Sequence, residues 1–189
     1  LADQLAAAQD LIDELVGAAH GDLARVRDIL TAHPRLVNAR ARWGETPIQA
    51  AAQTGDTGIT EYLLNLGAPL DICTAAMLGM ADTVKVFVLD EPGLVRTKGA
   101  HGYPLLYFTV PHEQVNIASW LLLHGAPVND GDGTMTALHA TVIFDKPAMT
   151  AWLLKMRARR DVKDADGKTP LQLAEEKGRM QAAALLRGD

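Results

Sequence analysis

Ala165-Asp166-Gly167-Lys168-Thr169-Pro170-Leu171-Gln172-Leu173-Ala174 decides the fold. Its Thr-Pro-Leu-x-x-Ala phrase opens a helix, and weaker copies stand upstream. They are Thr46-Pro47-Ile48-Gln49-Ala50-Ala51, Tyr103-Pro104-Leu105-Leu106-Tyr107-Phe108 and Thr136-Ala137-Leu138-His139-Ala140-Thr141. The lead slot steps from Tyr103 to Thr136 to Thr169, 33 residues each time. In Thr46-Pro47 the threonine can cap, and the proline takes the first helical position, where its missing N–H costs least.

A 33-residue period carrying a T-P-L-H-x-A phrase resembles the ankyrin repeat. The resemblance covers nearly the whole chain and implies an all-α solenoid of about six stacked helix pairs joined by β-hairpin fingers. The expected units are an N-terminal cap pair (1–40), a second unit (41–68), a third with a shortened finger (69–97), a fourth (98–130), a fifth (131–163) and a C-terminal cap (164–189). Together they read as one domain, with stability supplied by neighbouring units.

Outward from the repeats, residues 1–33 read as two helices. Leu5, Leu11, Ile12, Leu15 and Val16 recur at helical spacing, then Leu23, Val26, Ile29 and Leu30. Asp22 is placed to cap the second helix. The first helix looks longer than a repeat helix. It carries Asp3, Gln4, Gln9, Asp10, Asp13 and Glu14, a polar face suited to the end of a stack, and Arg187-Gly188-Asp189 closes the other end similarly. The segments Pro34-Arg35-Leu36-Val37-Asn38 and Pro92-Gly93-Leu94-Val95-Arg96 look like one loop used twice. The paired-small slot moves only 24 residues from Ala51 to Ala75, then 33 to Phe108. The missing residues fall between Pro69 and Ile72, so Asp71 should cap a helix over 72–78 with no finger before it. In the fourth unit, Tyr107 and Phe108 stand in small-residue slots, which predicts locally widened helix spacing.

Composition narrows the function. The chain has 189 residues, 48% hydrophobic and 22% charged, with a formal net charge of −5. A duplex nucleic-acid binder usually shows a basic stripe; here only Lys155 to Arg160 approaches one, at a helix end where cations suit the dipole. No apolar run nears the ~20 residues of a membrane helix. A single cysteine, Cys73, rules out an internal disulfide and reads as a small buried hydrophobe. Six histidines are scattered over different units without metal-binding spacing, and His139 occupies the histidine slot of the family phrase. There the resemblance implies a structural imidazole that ties adjacent units. Gly131-Asp132-Gly133 reads as a hairpin tip. Neither a nucleophile elbow nor a phosphate loop is present. The expectation is a soluble, non-enzymatic protein without catalytic residues, cofactor or metal, and without nucleic-acid or membrane partners. Its expected location is cytoplasmic, although a start at Leu1 is compatible with removal of an upstream signal or tag.

Trp120 and Trp152 fall in second helices beside leucines and read as core. Trp43 lies at a finger tip in Arg40-Ala41-Arg42-Trp43-Gly44, either as a contact anchor or packed on a neighbouring finger. The resemblance implies a concave binding face made of fingers and first helices, onto which the two residues after each paired-small slot project. Those are Gln53 and Thr54, Met77 and Leu78, Val110 and Pro111, Ile143 and Phe144, and Glu175 and Glu176. The middle of this series is apolar, which suggests a contact surface. The partner-binding set expected is Arg42, Trp43, Gln53, Thr54, Met77, Leu78, Val110, Met135, Ile143 and Phe144. It would hold an unidentified protein segment, apolar with a basic flank. The alternatives are a homodimer formed through the same patch or a small ligand. The Pro-x-Leu-Val loops and Ala/Arg-rich composition look like the divergent ankyrin-repeat proteins of bacteria.

Overall fold

The computed structural model describes residues 2–188, with side chains from residue 6 onward. Asp3, Gln4 and Leu5 therefore lie outside the described side chains, and Asp189 lies outside the described residues. The chain resolves into two compact units, residues 1–74 and 75–189, each built of short helices.

In the first unit, α1 (Ala2–Ala18) has 17 residues, whereas α2 (Leu23–Ala32), α3 (Pro47–Thr54) and α4 (Thr57–Asn65) have 10, 8 and 9. Each short helix starts where side-chain chemistry allows. The Asp22 carboxylate accepts from the Arg25 N–H at 2.9 Å, and Asp56 from the Ile59 N–H at 2.8 Å. At α3 the Thr46 N–H donates to the Gln49 side chain at 3.1 Å, and Pro47 takes the first helical position. Gly55, with φ of 74°, ends that helix in the left-handed conformation that glycine adopts without strain. Leu15, Val16, Val26, Ile29, Leu30, Ile48, Ile59 and Leu63 form one core, and Ala50 and Ala51 let the helices approach closely. After α4 the chain passes directly to α5 (Ile72–Met77). The Asp71 carboxylate accepts from the Thr74 N–H at 2.7 Å, as a capping residue with no finger before it should.

The second unit comprises α6 (Ala81–Asp90), α7 (Val115–Leu123), α8 (Ala137–Ile143), α9 (Pro147–Lys155), α10 (Pro170–Glu176) and α11 (Met180–Arg187). Val84, Val88, Leu105, Leu106, Phe108, Leu121, Leu138, Met149, Leu153 and Leu186 are buried within it. The two Pro-x-Leu-Val loops have the same build. Each is a 3₁₀ turn, Pro34–Asn38 and Pro92–Arg96, with proline in its first turn and an extended residue after it.

The fingers are tighter than the expected β-hairpins. In the loops that begin at Ala41, Gly99 and Asp164, the first N–H donates to the fifth residue's carbonyl at 2.9, 2.8 and 2.9 Å. The fourth N–H returns to the first carbonyl at 2.8 Å (Gly44 to Ala41), 3.2 Å (Gly102 to Gly99) and 3.0 Å (Gly167 to Asp164), and Thr134 does the same to Gly131 at 2.9 Å. Five-residue fold-backs leave no length for a ladder. An isolated antiparallel bridge between Lys98 and Pro104 is the extent of the pairing among the described residues.

These loops and one further bond correct the sequence register. After each first helix, a backbone N–H reaches back five residues: Asp56 to Ala51 at 3.0 Å, Met80 to Ala75 at 2.9 Å, Gln114 to Thr109 at 2.8 Å, Lys146 to Thr141 at 2.8 Å and Arg179 to Ala174 at 2.8 Å. The fourth unit's small slot is therefore Thr109, not Phe108, and its lead slot is Pro104, not Tyr103. Proline in the capping position offers no side-chain acceptor. The chain there turns as a 3₁₀ helix, Leu105–Thr109, instead of the α-helix that opens the other units. Phe108, one residue out of the small slot, is buried in the core at 1% exposure.

Candidate interaction surface

Arg42 and Trp43 sit at the tip of the first finger, and the structure holds them firmly. The Arg42 guanidinium reaches Asp13 at 2.8 Å and Asp10 at 2.6 Å, while its backbone N–H donates to Asp13 at 2.9 Å. Asp13 titrates below the ordinary carboxylate range, through the Gln9 amide first and Arg42 next. The two carboxylates come from α1, whose polar face reads in sequence only as a solvated cap. The Trp43 indole N–H donates to the Glu45 carboxylate at 2.9 Å, yet the residue stays 48% exposed. A fixed indole on an anchored loop loses little conformational freedom on binding.

The expected first-helix residues divide in two. Gln53, Thr54, Leu78, Met135, Ile143 and Phe144 are half-buried, so part of each side chain faces solvent. Met77 and Val110 are fully buried, which removes them from any contact surface. For Val110 the reason is the one-residue register shift, since it follows Thr109 and takes the second small slot. For Met77 it is its position in the last turn of a six-residue helix, turned into the core. Glu175 and Glu176, expected to meet a basic flank, are exposed but engaged by Arg187 and Lys168.

His139 performs the structural task that the family phrase implies. Its Nε2 lies 3.0 Å from the Lys168 carbonyl, 29 residues on, so that nitrogen must carry the proton and donate. Nδ1 is then an acceptor, and the Thr136 hydroxyl lies 2.9 Å from it. Burial lowers the imidazole pKa from its ordinary value, against the opposing pull of the Lys168 carbonyl and Asp164, which favours the neutral ring these bonds require. Cys73 is buried, and its thiol pKa is pushed far up, by burial first and by Asp71 second, so it is no nucleophile. Trp120 and Trp152 are half-buried rather than fully core. The Trp120 ring stacks on His124 with centroids 3.6 Å apart and lines a groove of about 320 Å³ between α6 and α7.

The second unit's finger side carries a further feature, around the Tyr103 and Tyr107 that the small-ligand alternative had in view. Tyr103, Tyr107 and Phe144 form a continuous aromatic series, with centroids 4.6 Å and 5.7 Å apart. Burial holds the Tyr107 phenol protonated far above its usual range. At the outer end of this series, Tyr103 lines a pocket of about 290 Å³ together with residues of the next two fingers. The signal was visible as an unusual Tyr103-x-x-x-Tyr107 pair, but the misplaced register hid which face it served.

A cap-and-period phrase, helix pairs separated by tight fingers and a histidine bridging successive fingers together define a repeat protein. Family comparison agrees: a model described as "Ankyrin repeats (3 copies)" matches residues 106–189, and "Ankyrin repeat" matches residues 43–75. The chain belongs to the ankyrin-repeat family. It is also similar to the E3 ubiquitin-protein ligase Ufd4 of Drosophila melanogaster, 36% identical over 89 residues. That match spans 46% of this chain and 3% of the relative, so the chain corresponds to a small part of that protein. No helix among the described residues is long and apolar enough to cross a membrane. Ankyrin repeats generally serve as protein-interaction modules.

Proposed function

We propose that this chain is a non-enzymatic, cytoplasmic module that holds a protein segment against its fingers and first helices. The observation that carries this reading is Trp43, 48% exposed on a loop that Asp10 and Asp13 fix through Arg42. Large aromatic anchors beside arginine are the composition of binding hot spots. Arg42, Gln53 and Thr54 lie in the first unit with it, and Leu78, Met135, Ile143 and Phe144 lie in the second. Met77 and Val110 are left out because they are buried.

The test is affinity purification from the native organism, comparing wild type with a Trp43→Ser/Ile143→Ser variant and reading captured proteins by mass spectrometry. A partner retained by wild type and lost by the folded variant supports the module. Equal capture by both, with unchanged melting, refutes this surface.

A second reading has its own observation. Val86 and Leu89 on α6 and Leu123 on α7 are 56%, 69% and 84% exposed. Apolar side chains on successive second helices suit self-association. A mass that rises with concentration, and falls after Leu89→Ser/Leu123→Ser, would favour that reading.

A further inference from the structure

We propose that the pocket at the second unit's fingers is a subsite for an arginine side chain of the bound segment, an assignment that rests on the interaction-module reading above. Its walls come from three successive fingers: His101 and Tyr103 from the first, Thr134 and Met135 from the second, Asp164 and Asp166 from the third. About 290 Å³ lies at the lower end of ligand pockets, which run from roughly 300 Å³ upward, and suits one long side chain rather than a larger molecule.

The lining selects a planar cation. The Tyr103 ring is packed against Tyr107 at 4.6 Å, so its orientation is fixed by the aromatic series behind it. Two carboxylates share the cavity with that ring. Asp164 is 4% exposed and accepts from the N–H groups of Asp166 and Lys168 at 3.0 and 2.8 Å, bonds that hold it in place. Asp166 is exposed and lines the same pocket. The cation whose charge these two feel, Lys168, is engaged by Glu176, and Lys98 is engaged by Asp130 at 3.2 Å. An aromatic face beside excess negative charge attracts cations. A guanidinium gains twice, because it stacks flat on the ring and donates two parallel N–H bonds to one carboxylate. An ammonium is a compact, strongly hydrated charge and gains less from the ring.

The experiment titrates the full ¹⁵N-labelled chain with N-acetyl-arginine methylamide and follows amide shifts. Saturable shifts confined to residues 100–104, 133–136 and 164–167 are expected, with a Kd of about 1–10 mM for so small a probe. Asp166→Asn and Tyr103→Leu should each weaken binding by about fivefold, with amides outside the pocket unmoved in the Asp166→Asn variant as evidence of an intact fold. The neutral citrulline analogue should produce no saturable shift, and the lysine analogue should bind more weakly. No saturable shift with arginine, or equal shifts with citrulline, overturns the subsite. Capture of a protein partner that is lost in Trp43→Ser/Ile143→Ser but unchanged in Asp166→Asn also overturns it, while leaving the module intact. Arginine binding without any captured partner supports the subsite and counts against the module.

Discussion

The fourth and fifth units solve the same problem with different chemistry. In the fifth, Thr136 caps α8, His139 completes the reciprocal bonds, and the helix runs seven residues. In the fourth, Pro104 stands where the cap should be, and the chain makes a 3₁₀ turn walled by Tyr107 and Phe108. Both still end in the same bond, Gln114 to Thr109 and Lys146 to Thr141, each at 2.8 Å. In both, the threonine hydroxyl of that slot donates to the carbonyl three residues earlier, at 2.7 and 2.8 Å. The repeat is thus defined by where its first helix closes, and the opening phrase can be lost without losing the fold.

The strongest way to break the comparison is His139→Ala. It removes two buried bonds and leaves a cavity, and should cost about 3 kcal/mol, read as a lower urea midpoint. A single stability loss of that size is not available at Pro104, where no such bonds exist. The same residue should make the stability depend on pH. Because the folded pKa lies below the ordinary 6.5, the unfolded chain takes up the proton first. Stability should be complete above pH 6.5 and should fall as pH drops below it. Urea midpoints at successive pH values should show this slope in wild type and a flatter one in His139→Gln.

Gly131→Ala should come next, at about 2 kcal/mol by thermal unfolding. The glycine has φ of 104°, and a Cβ there would collide with the Met135 carbonyl. Gly133→Ala, with φ of 74° and open space around it, should cost about 1 kcal/mol and serves as its control.

Pro104→Thr sharpens the comparison from the other side. A capping hydroxyl restored to the fourth unit should stabilise it by about 0.5–1 kcal/mol and raise far-ultraviolet helicity. No gain would mean that the bulky Tyr107 and Phe108, rather than the missing cap, hold the chain in its 3₁₀ form.

The smallest effect concerns the turn after each first helix. Glu113 and Asp145 occupy left-handed positions, with φ of 52° and 54°, where the repeats over 41–68 and 164–189 have Gly55 and Gly178. Glu113→Gly should gain about 0.5 kcal/mol, since its contact with Lys146 is 4.0 Å long. Asp145→Gly should be nearly neutral, because relief of strain is offset by loss of the 3.0 Å pair with Arg179.

The fold was legible in sequence because capping and period are local. Thr46, Thr136, Thr169 and Asp71 each announce a helix start through side-chain chemistry that needs no tertiary information. The interaction surface was legible only in part. Trp43 could be placed at a finger tip from its neighbours, but Arg42's partners lie about 30 residues away on α1, and nothing local marks them. Val110 was misplaced because Tyr-Pro-Leu imitates Thr-Pro-Leu with one residue's offset, and on a helix one residue turns a side chain from solvent to core. The fingers were overread as hairpins because their turn residues are visible in sequence, whereas the length of pairing beyond the turn is set by tertiary contacts.

Cys73 gives the molecule a built-in reporter. It is the single cysteine, buried in the short helix that lacks a finger, with a thiol held protonated. A thiol reagent can modify it only after that helix opens. Its labelling rate under native conditions therefore clocks local opening at one defined point of the array, without any engineered probe, and a bound partner that slows the clock announces itself before it has been identified.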